Sequence, residues 1–498
     1  MSSDAEPGPP VWLPLRNEFL PGEGHAWWRW FCPRPTVKIL FYTDSNLVDF
    51  NAGLDFGVDH LRDILRTQSS FYAQFDIDLV NRHSGGHANH KLTAALLNGY
   101  DQLWIFGVLQ CNQQGLPENE LTAAEVADLR AWMDAGGGVL ITGDHSNPRP
   151  PDADSALDPY LNLGRAIGRG VPRAGELRRW EGLPDASFVN NHNTQVPDFI
   201  RDINDLALQE DSLPQHLILS KYGVGWELPY FRRRYRPHPL FCGRSGPIDA
   251  FPDHMHEGQL EIPTNLPNAA WPVGPGGQPE PEVVASGTDK RNGRVYGVTT
   301  AYDGSLANVG RIVADSTWHH YFNVNLRGFA LGSTVLARIS EFYGNLAVWL
   351  SPPAKRSQMR CWIWWYLAVH PAVLMVTRHP YFVIGSTALD VLGREAGQCV
   401  ITEMGWPWPV LEVERHKFPW PPEEVLFGSV ISEYHAVFDR ATEDRTHELP
   451  DREAIVRRGV ERAVEAHVSD LTEALEAARG LPAVLAGKFD DYAGQRST

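Results

Sequence analysis

The stretch that decides the fold is residues 121–142, which read LTAAEVADLRAWMDAGGGVLIT. Thr122 followed three residues later by Glu125 forms a capping box, which predicts the start of a helix. Apolar residues then recur at helical spacing as far as Met133, and a run of glycines ends the helix. The aliphatic run 139–142 follows at once and predicts a strand. A helix that leads directly into a strand is typical of an α/β protein.

Strand-like runs also occur on both sides of this unit. Those before it lie at residues 37–43, 75–80 and 102–106, and those well after it at 282–285, 294–300 and 311–314. Asp76 and Asp78 alternate with apolar residues in the second run, which is the pattern of a strand at a sheet edge. We therefore predict a flavodoxin-like parallel sheet that is covered by helices on both faces.

The same patterns divide the chain into three parts. We predict an N-terminal extension (1–35), an α/β domain (36–330) and a mainly helical C-terminal region (331–498). Residues 147–280, which are rich in proline and glycine, interrupt the α/β pattern and predict an insertion that forms a lid or a substrate wall.

The clearest helix of the C-terminal region is an apolar stripe. It runs at helical spacing from Val456 to Leu475, and Gly480 predicts its end. This stripe favours a packing or oligomerisation module, and we expect that it allows a homo-oligomer to form.

Composition excludes several classes of protein. A net charge of −17 argues against nucleic-acid binding and against broad binding to anionic membranes, unless a local basic patch intervenes. Residues 361–376 are strongly apolar, but they fall short of the roughly 20 residues that a membrane span needs. We predict that they form a buried helix or a subunit contact, and that the chain has no membrane span.

The cysteines show no paired spacing. The 5 cysteines therefore indicate neither a thiolate zinc site nor a disulfide framework. Residues 1–10 also lack the basic end and apolar run of a secretory signal. Both observations favour a reducing, cytoplasmic location.

Histidine stands beside carboxylate in three short runs, Gly-Asp-His at 143–145, Asp-His-Met-His-Glu at 253–257 and Asp-Ser-Thr-Trp-His-His at 315–320. The first and third follow predicted strands, where open α/β sheets bind ligands. Structural alternatives are a turn, a solvated loop and an N-cap made by Asp315. The candidate catalytic residues are Asp144, His145, His254, Glu257, Asp315 and His319, and the candidate metal ligands are His145, His254, His256, Glu257, Asp315 and His320.

Two mechanisms fit these residue types. In one, a divalent ion such as Zn, Mn or Fe is bound and lowers the pKa of a water molecule. In the other, a histidine oriented by a carboxylate acts as a general acid or base without metal.

The order of strands and helices from residue 37 to residue 142 resembles the class I glutamine amidotransferase-like fold. The resemblance covers about the first 145 residues and the strands near 283–315, and residues 121–140 resemble the equivalent helix and strand of its ThuA-like branch. The resemblance implies a flavodoxin-like sheet and, because that branch is linked to sugar metabolism, a carbohydrate-like substrate. Amidotransferases of this fold carry a nucleophilic cysteine at the turn after the strand and a His-Pro-Glu run near the end. Here the turn, residues 143–146, reads Gly-Asp-His-Ser, and no His-Pro-Glu follows the late strands. Glutamine hydrolysis is therefore not expected.

Two functions remain open from the sequence. The first is a hydrolase or lyase that acts on a small polar, carbohydrate-like substrate through the histidine and carboxylate residues. The alternative is a non-catalytic ligand-binding or assembly protein built on a degenerate amidotransferase-like domain. Substitution of His254 together with His256 separates them, because only an enzyme would lose turnover.

Overall fold

The structure is a computed structural model that describes residues 32–45, 48–51, 53–68, 71–83, 90–108, 121–142, 167–168, 170–177, 214–227, 232–252, 260–275, 277–288, 293, 295–329, 332–394, 423–443 and 452–495. The chain divides into two compact units, which we treat separately. The first comprises the described residues within Arg34–Arg360 and Leu392–Phe418, and the second those within Met1–Pro33, Cys361–Val391 and Pro419–Thr498.

All strands among the described residues belong to the first unit. They are β1 (Thr36–Thr43), β2 (Gln74–Asn81), β3 (Gln102–Phe106), β4 (Gly138–Ile141), β5 (Pro214–His216), β6 (Ile218–Leu219), β7 (Tyr222–Glu227), β8 (Arg232–Arg236), β9 (Cys242–Gly243), β10 (Gly246–Pro247), β11 (Ala250–Pro252), β12 (Glu282–Thr288), β13 (Val295–Tyr302) and β14 (Ile312–Asp315). The helices are α1 (Asp59–Gln68), α2 (Ala94–Leu97), α3 (Ala123–Asp134), α4 (Asn323–Arg327), α5 (Thr334–Trp349), α6 (Pro353–Val369), α7 (Pro371–Leu374), α8 (Tyr381–Gly393), α9 (Glu423–Glu443) and α10 (Arg452–Gln495).

The central sheet has the order β2-β1-β3-β4-β14-β13-β12-β6. Its first five strands are parallel and follow the 2-1-3-4-5 order of flavodoxin-like folds. This confirms the predicted fold class. The sheet is not parallel throughout, however, because β13, β12 and β6 pair antiparallel beyond β14. Local hydrophobic patterns indicate a strand but carry no information about its direction.

The element from which the prediction began forms as expected. The Thr122 side chain accepts a hydrogen bond from the Glu125 amide (3.3 Å), and the Glu125 carboxylate accepts one from the Thr122 amide (2.9 Å). Leu129 and Met133 of α3 are fully buried. The edge position of β2 is also confirmed, with Asp76 and Asp78 exposed.

Glu125 also anchors a buried ion pair next to β1. Arg82 donates two hydrogen bonds to its carboxylate, one of them at 2.9 Å from Nη2 to Oε2, and donates a third to the Tyr42 hydroxyl at 3.1 Å. The Leu92 amide donates to the same carboxylate at 3.0 Å. Burial by itself raises the pKa of Glu125, but these hydrogen bonds outweigh it and lower the pKa to about 2. The charged pair therefore ties β1, the end of β2 and α3 together.

A buried histidine lies elsewhere in this unit. The ring of His238 packs on that of Trp349, with 5.2 Å between centroids, and its Nδ1 accepts a hydrogen bond from the Leu240 amide at 3.3 Å. Burial, followed by the positive charge of Arg311, lowers the pKa of His238 from 6.5 to about 3. The imidazole is therefore neutral in the folded chain at pH values where the unfolded chain protonates it.

His238 makes the stability of the fold pH-dependent. Between its folded and unfolded pKa values the unfolded state binds one more proton, so stability rises with pH in this window and falls as the pH drops. The side-chain amide of Asn can replace the His238 cap, so we expect the His238→Asn variant to fold. When the pH falls from about 7.5 to about 5, the free energy of unfolding of this variant should decrease by about 2 kcal/mol less than that of the wild type. Urea unfolding at the two pH values measures this. The exposed His216→Asn serves as control, and equal losses in wild type and His238→Asn would refute the assignment.

In the second unit, α8 and α9 cross at close range. A Cβ added to Gly385 would lie 1.6 Å from the Glu424 carbonyl oxygen, and one added to Gly428 would lie 1.8 Å from the Tyr381 carbonyl oxygen. Only glycine permits this approach. The Ser429 hydroxyl on α9 also donates to the Gly459 carbonyl of α10 at 2.7 Å.

The apolar stripe of α10 is only partly packed. Val456 and Val460 are buried, whereas Val468 and Leu475 are exposed. The predicted end at Gly480 is wrong, because the helix continues to Gln495. A single glycine weakens a helix without ending it unless the backbone turns there. Among the described residues, no helix is both long and apolar enough to span a membrane, as predicted.

The absence of disulfides predicted from the cysteine spacing is wrong. Cys32 and Cys361 form a disulfide in the second unit, with 5.6 Å between their Cα atoms. Cys242, in the first unit, is disulfide-bonded as well. Cysteines 329 positions apart leave no spacing pattern in the sequence. Because disulfides persist in oxidising compartments, these bonds weigh against the predicted cytoplasmic location.

We expect the purified, non-reduced chain to expose one free thiol after denaturation, because the Cys32–Cys361 bond and the bond of Cys242 take up four of its 5 cysteines. Maleimide labelling followed by mass spectrometry would find a peptide that links Cys32 to Cys361. Reduction should lower the free energy of unfolding by about 2–4 kcal/mol. If both cysteines are alkylated without reductant, the bond does not form.

Candidate functional site

The candidate site lies at the carboxyl edge of the parallel strands. Asp315 is the last residue of β14, which runs parallel to β4, so it lies at the edge of the sheet where β4 ends. Asp44 follows β1 at this edge, and its Oδ1 accepts a hydrogen bond from the Val108 amide at 2.7 Å. Asp44 therefore joins the ends of β1 and β3.

The centre of the site is a buried carboxylate–histidine pair. The Nδ1 of His320 lies 2.7 Å from the Oδ1 of Asp315, and both side chains are 0% exposed. The Tyr321 hydroxyl donates to the other carboxylate oxygen, Oδ2, at 2.9 Å. A carboxylate beside Nδ1 assigns the proton to that nitrogen, so the lone pair of the imidazole lies on Nε2. This is the tautomer that a general base or a metal ligand requires.

Two tyrosines hold this pair in place. Burial, and then the negative charge of Asp315, raise the pKa values of Tyr321 and Tyr343 well above the usual value. Both phenols therefore remain hydrogen-bond donors. The Tyr343 hydroxyl, on α5, donates to the backbone carbonyl of His320. The orientation of His320 is thus fixed from its side chain and from its backbone.

A capped turn explains why the His320 ring lies next to the Asp315 carboxylate. Thr317 caps the 3-10 turn Trp318–His320, its hydroxyl accepting from the His319 amide at 3.1 Å. Asp315 accepts a hydrogen bond from the Thr317 amide at 3.3 Å, but the residue that caps the turn is Thr317, so the alternative in which Asp315 caps this helix is wrong. The turn places His320 close enough to Asp315 for the carboxylate to bind its ring.

His319 has a different environment. Its Nδ1 lies 3.1 Å from the Oδ1 of Asn325, and its ring centroid lies 3.7 Å from that of Trp318. The rings of Phe56 and Phe322 lie nearby, at 6.2 and 6.5 Å. As expected for adjacent residues, the two histidines therefore bind different partners, and His319 belongs to an aromatic cluster next to the pair.

The other candidates, Asp144, His145, His254, His256 and Glu257, lie outside the described residues. Neighbouring described residues lie close to the pair. The ring of Phe251, on β11, lies 4.7 Å from that of His320. Leu260 pairs with Gly297 of β13, next to Val298, whose carbonyl accepts from the Ser316 amide at 2.8 Å. The convergence of the three histidine runs stays a prediction.

Within the described ranges, no group of three or more His, Cys, Asp or Glu side chains is arranged to hold a metal ion. Of the two described candidate metal ligands, His320 is better suited than Asp315 to bind an ion. Both oxygens of Asp315 already accept hydrogen bonds, so this carboxylate suits orienting a ligand better than binding the ion itself. Nε2 of His320 is the donor atom that a metal would use.

Sequence reasoning missed four residues of this site. Tyr321 directly follows the histidine pair and could have been included on that ground. Asn325 and Phe251 lie close in sequence to candidate runs, but nothing marks them as partners. Tyr343 lies on a separate helix, and no sequence pattern connects it to His320.

No protein-family model matches the chain, and no curated protein matches it. Among solved structures, it is similar to a ThuA-like protein from Bacteroides uniformis, with 12% identity and a TM-score of 0.26, over 64% of this chain and 94% of that one. A likeness at this level carries no argument about function. The flavodoxin-like assignment rests on the strand order.

Proposed function

We propose that the chain is a hydrolase or lyase in which His320, oriented by Asp315, transfers a proton to and from a small polar substrate. The observation that carries this proposal is the 2.7 Å contact between Nδ1 of His320 and Oδ1 of Asp315, at the carboxyl edge of the sheet. Nε2 would accept a proton from water or from a substrate hydroxyl. The Asp315 carboxylate would stabilise the imidazolium that results, without taking the proton itself.

The metal-dependent version of this proposal keeps the same pair. His320 would bind the ion through Nε2, and His145, His254, His256 or Glu257 would complete the ligand set. A bound divalent ion such as Zn, Mn or Fe would supply a water of lowered pKa. Asp315 would then fix the ring of His320 as the carboxylate of a carboxylate–histidine–metal arrangement.

The substrate class comes from the proposed membership of the ThuA-like branch of the amidotransferase-like fold. That membership implies a carbohydrate-like molecule, and the turn sequence Gly-Asp-His-Ser at 143–146 implies chemistry without a cysteine nucleophile.

The test is hydrolysis of a panel of nitrophenyl glycosides and nitrophenyl esters by the full-length chain. We expect His320→Gln to lower turnover by about 100- to 10,000-fold, because the base is lost. The exposed His216→Gln is the matched control and should keep full activity. Turnover by the wild type that His320→Gln leaves unchanged would refute the proposal.

Metal content separates the two mechanisms. Elemental analysis of the purified protein should find stoichiometric metal that is lost in His320→Gln if the metal-dependent mechanism holds. If activity survives treatment with a chelator, the metal-dependent mechanism is wrong and the metal-free mechanism is retained.

A second candidate function is a non-catalytic ligand-binding or assembly protein. The observation that favours it is the complete burial of Asp315 and His320, since a buried polar pair also serves to fix one packing arrangement. In that case His320→Gln changes the thermal stability of the chain, and no member of the panel is turned over.

A further inference from the structure

The first unit contains a buried arginine that uses only part of its hydrogen-bonding capacity. Arg173 precedes the 3-10 turn Ala174–Glu176, and its side chain is 1% exposed. Its Nη1 donates to the Asp134 carboxylate at 2.7 Å and to the Ala270 carbonyl at 3.4 Å. Its Nε and Nη2 have no hydrogen-bond partner among the residues that the structure describes. Because a buried donor without a partner is costly, these two atoms require an acceptor.

The two atoms without partners form one edge of the guanidinium, which we call the Nε/Nη2 edge. Their N–H bonds run side by side and match the two oxygens of a carboxylate. Arg311 shows this fit in the same unit, since its Nε and Nη2 donate to the two carboxylate oxygens of Asp303 at 2.7 and 2.8 Å. Its Nη1 donates to the Trp349 carbonyl at 3.1 Å. Arg173 therefore has the Nη1 contacts of such a site but not the carboxylate that completes it.

A buried phenol lies next to Arg173. Tyr302 is the last residue of β13 and pairs with Ile312 at the start of β14, so it lies at the amino edge of the parallel strands. It is fully buried, and within the described ranges its hydroxyl makes no hydrogen bond. Its ring lies 4.9 Å from that of Trp271, which directly follows the Ala270 carbonyl that Arg173 contacts. Burial raises the pKa of Tyr302 to about 12, so its hydroxyl stays protonated and can donate to an anion.

The backbone at Arg173 is strained. Its φ is 62° and its ψ is −50°, and the Ala174 amide donates across it to the Pro172 carbonyl at 2.6 Å. This is the rare form of γ-turn in which the central residue has a positive φ, a conformation unfavourable for any residue with a Cβ. Glycine would relieve the strain. An arginine at this position is explained if its side chain has a binding role.

We propose that the Nε/Nη2 edge of Arg173 and the Tyr302 hydroxyl bind the carboxylate of a small organic acid. Nε and Nη2 donate to the two oxygens of the ligand, and the phenol donates to one of them. The site lies at the edge of the sheet opposite the Asp315–His320 pair, so it is distinct from the proposed active site. A ligand that completes this site also satisfies the buried donors.

Nearby charges favour a carboxylate over a phosphate. Asp134 already contacts Arg173, and the negative charges of Asp303 and Asp134 both act on Tyr302. A phosphate dianion would bring two negative charges toward these carboxylates, whereas an organic monoacid brings one. Solvent reaches the rim of the site, because the side chains of Asp134 and Glu176 are exposed. The burial of both anchoring side chains limits the ligand to a few carbon atoms.

The test is thermal unfolding of the full chain at pH 7 with increasing sodium acetate, compared with sodium chloride at equal ionic strength. We expect about 100 mM acetate to raise the Tm by at least about 2 °C more than chloride does. Arg173→Lys keeps the charge but loses the Nε/Nη2 edge, and should raise the half-saturating acetate concentration by more than about tenfold. Tyr302→Phe keeps the packing and should raise it about tenfold.

The matched controls are Arg66→Lys on α1 and Tyr100→Phe before β3, which should respond to acetate like the wild type. Three results would overturn the proposal. They are an acetate effect no larger than that of chloride, an effect that Tyr302→Phe leaves unchanged, and a larger rise in Tm with sodium phosphate than with acetate. A crystal structure grown in acetate that shows only water, or a side chain of the chain itself, on the Nε/Nη2 edge would also contradict it.

Discussion

Replacing Asp315 with asparagine should lower the free energy of unfolding by about 2–4 kcal/mol. In the wild type both carboxylate oxygens accept, one from the Nδ1 of His320 and one from the Tyr321 hydroxyl. An amide offers only one acceptor oxygen and turns an NH2 group toward the other donor. One buried donor therefore loses its partner where no water replaces it. Urea unfolding at neutral pH measures the loss.

The matched control is Asp76→Asn on the edge strand β2, where the side chain is exposed. It should change stability by less than about 0.5 kcal/mol. If Asp315→Asn is as mild as this control, the carboxylate does not hold His320 as described. The same variant should also lose the proposed turnover, since the imidazole is no longer oriented.

A second large effect is expected at the Arg82–Glu125 pair. Arg82→Met leaves the Glu125 carboxylate buried without its cation, and we expect a loss of about 3–5 kcal/mol. Both side chains are nearly inaccessible, at 2% exposure each, so water cannot replace the guanidinium. Thermal or urea unfolding measures the change.

Pairing Arg82→Met with Glu125→Leu tests the cause. Removing both charges should restore much of the stability, because no uncompensated carboxylate then remains. The restoration will be incomplete, since Glu125 also completes the capping box with Thr122 and accepts from the Leu92 amide. If the double variant is no more stable than Arg82→Met, the loss comes from packing rather than from the buried charge.

The features that the sequence predicted correctly are local ones. The capping box of α3, the glycine run after it and the strand β4 depend on residues within about one helical turn of one another. The alternation of β2 depends only on which face meets water. The antiparallel direction of β13 and the Cys32–Cys361 bond could not be predicted, because both depend on contacts between distant segments.

In the candidate site, too, residues close in sequence could be predicted and contacts between distant segments could not. Asp315 and His320 lie five residues apart, and the sequence marked both before the structure joined them. It did not assign their roles, because these depend on the cap at Thr317 and on the Tyr321 hydroxyl. The role of Tyr343 could not be predicted from the sequence, because its hydroxyl reaches the His320 carbonyl only once α5 has packed in the folded unit.

The central claim is that the Asp315–His320 pair forms one active site with the histidines that follow β4 and β11. The most direct measurement is a crystal structure of the full chain that resolves residues 143–147 and 253–259. The account predicts that His145 and at least one of His254 and His256 face a common cavity with Nε2 of His320, within about 4 Å of one another if they share a metal ion. Side chains that point to separate regions of solvent, with His320 enclosed by apolar residues alone, would contradict it.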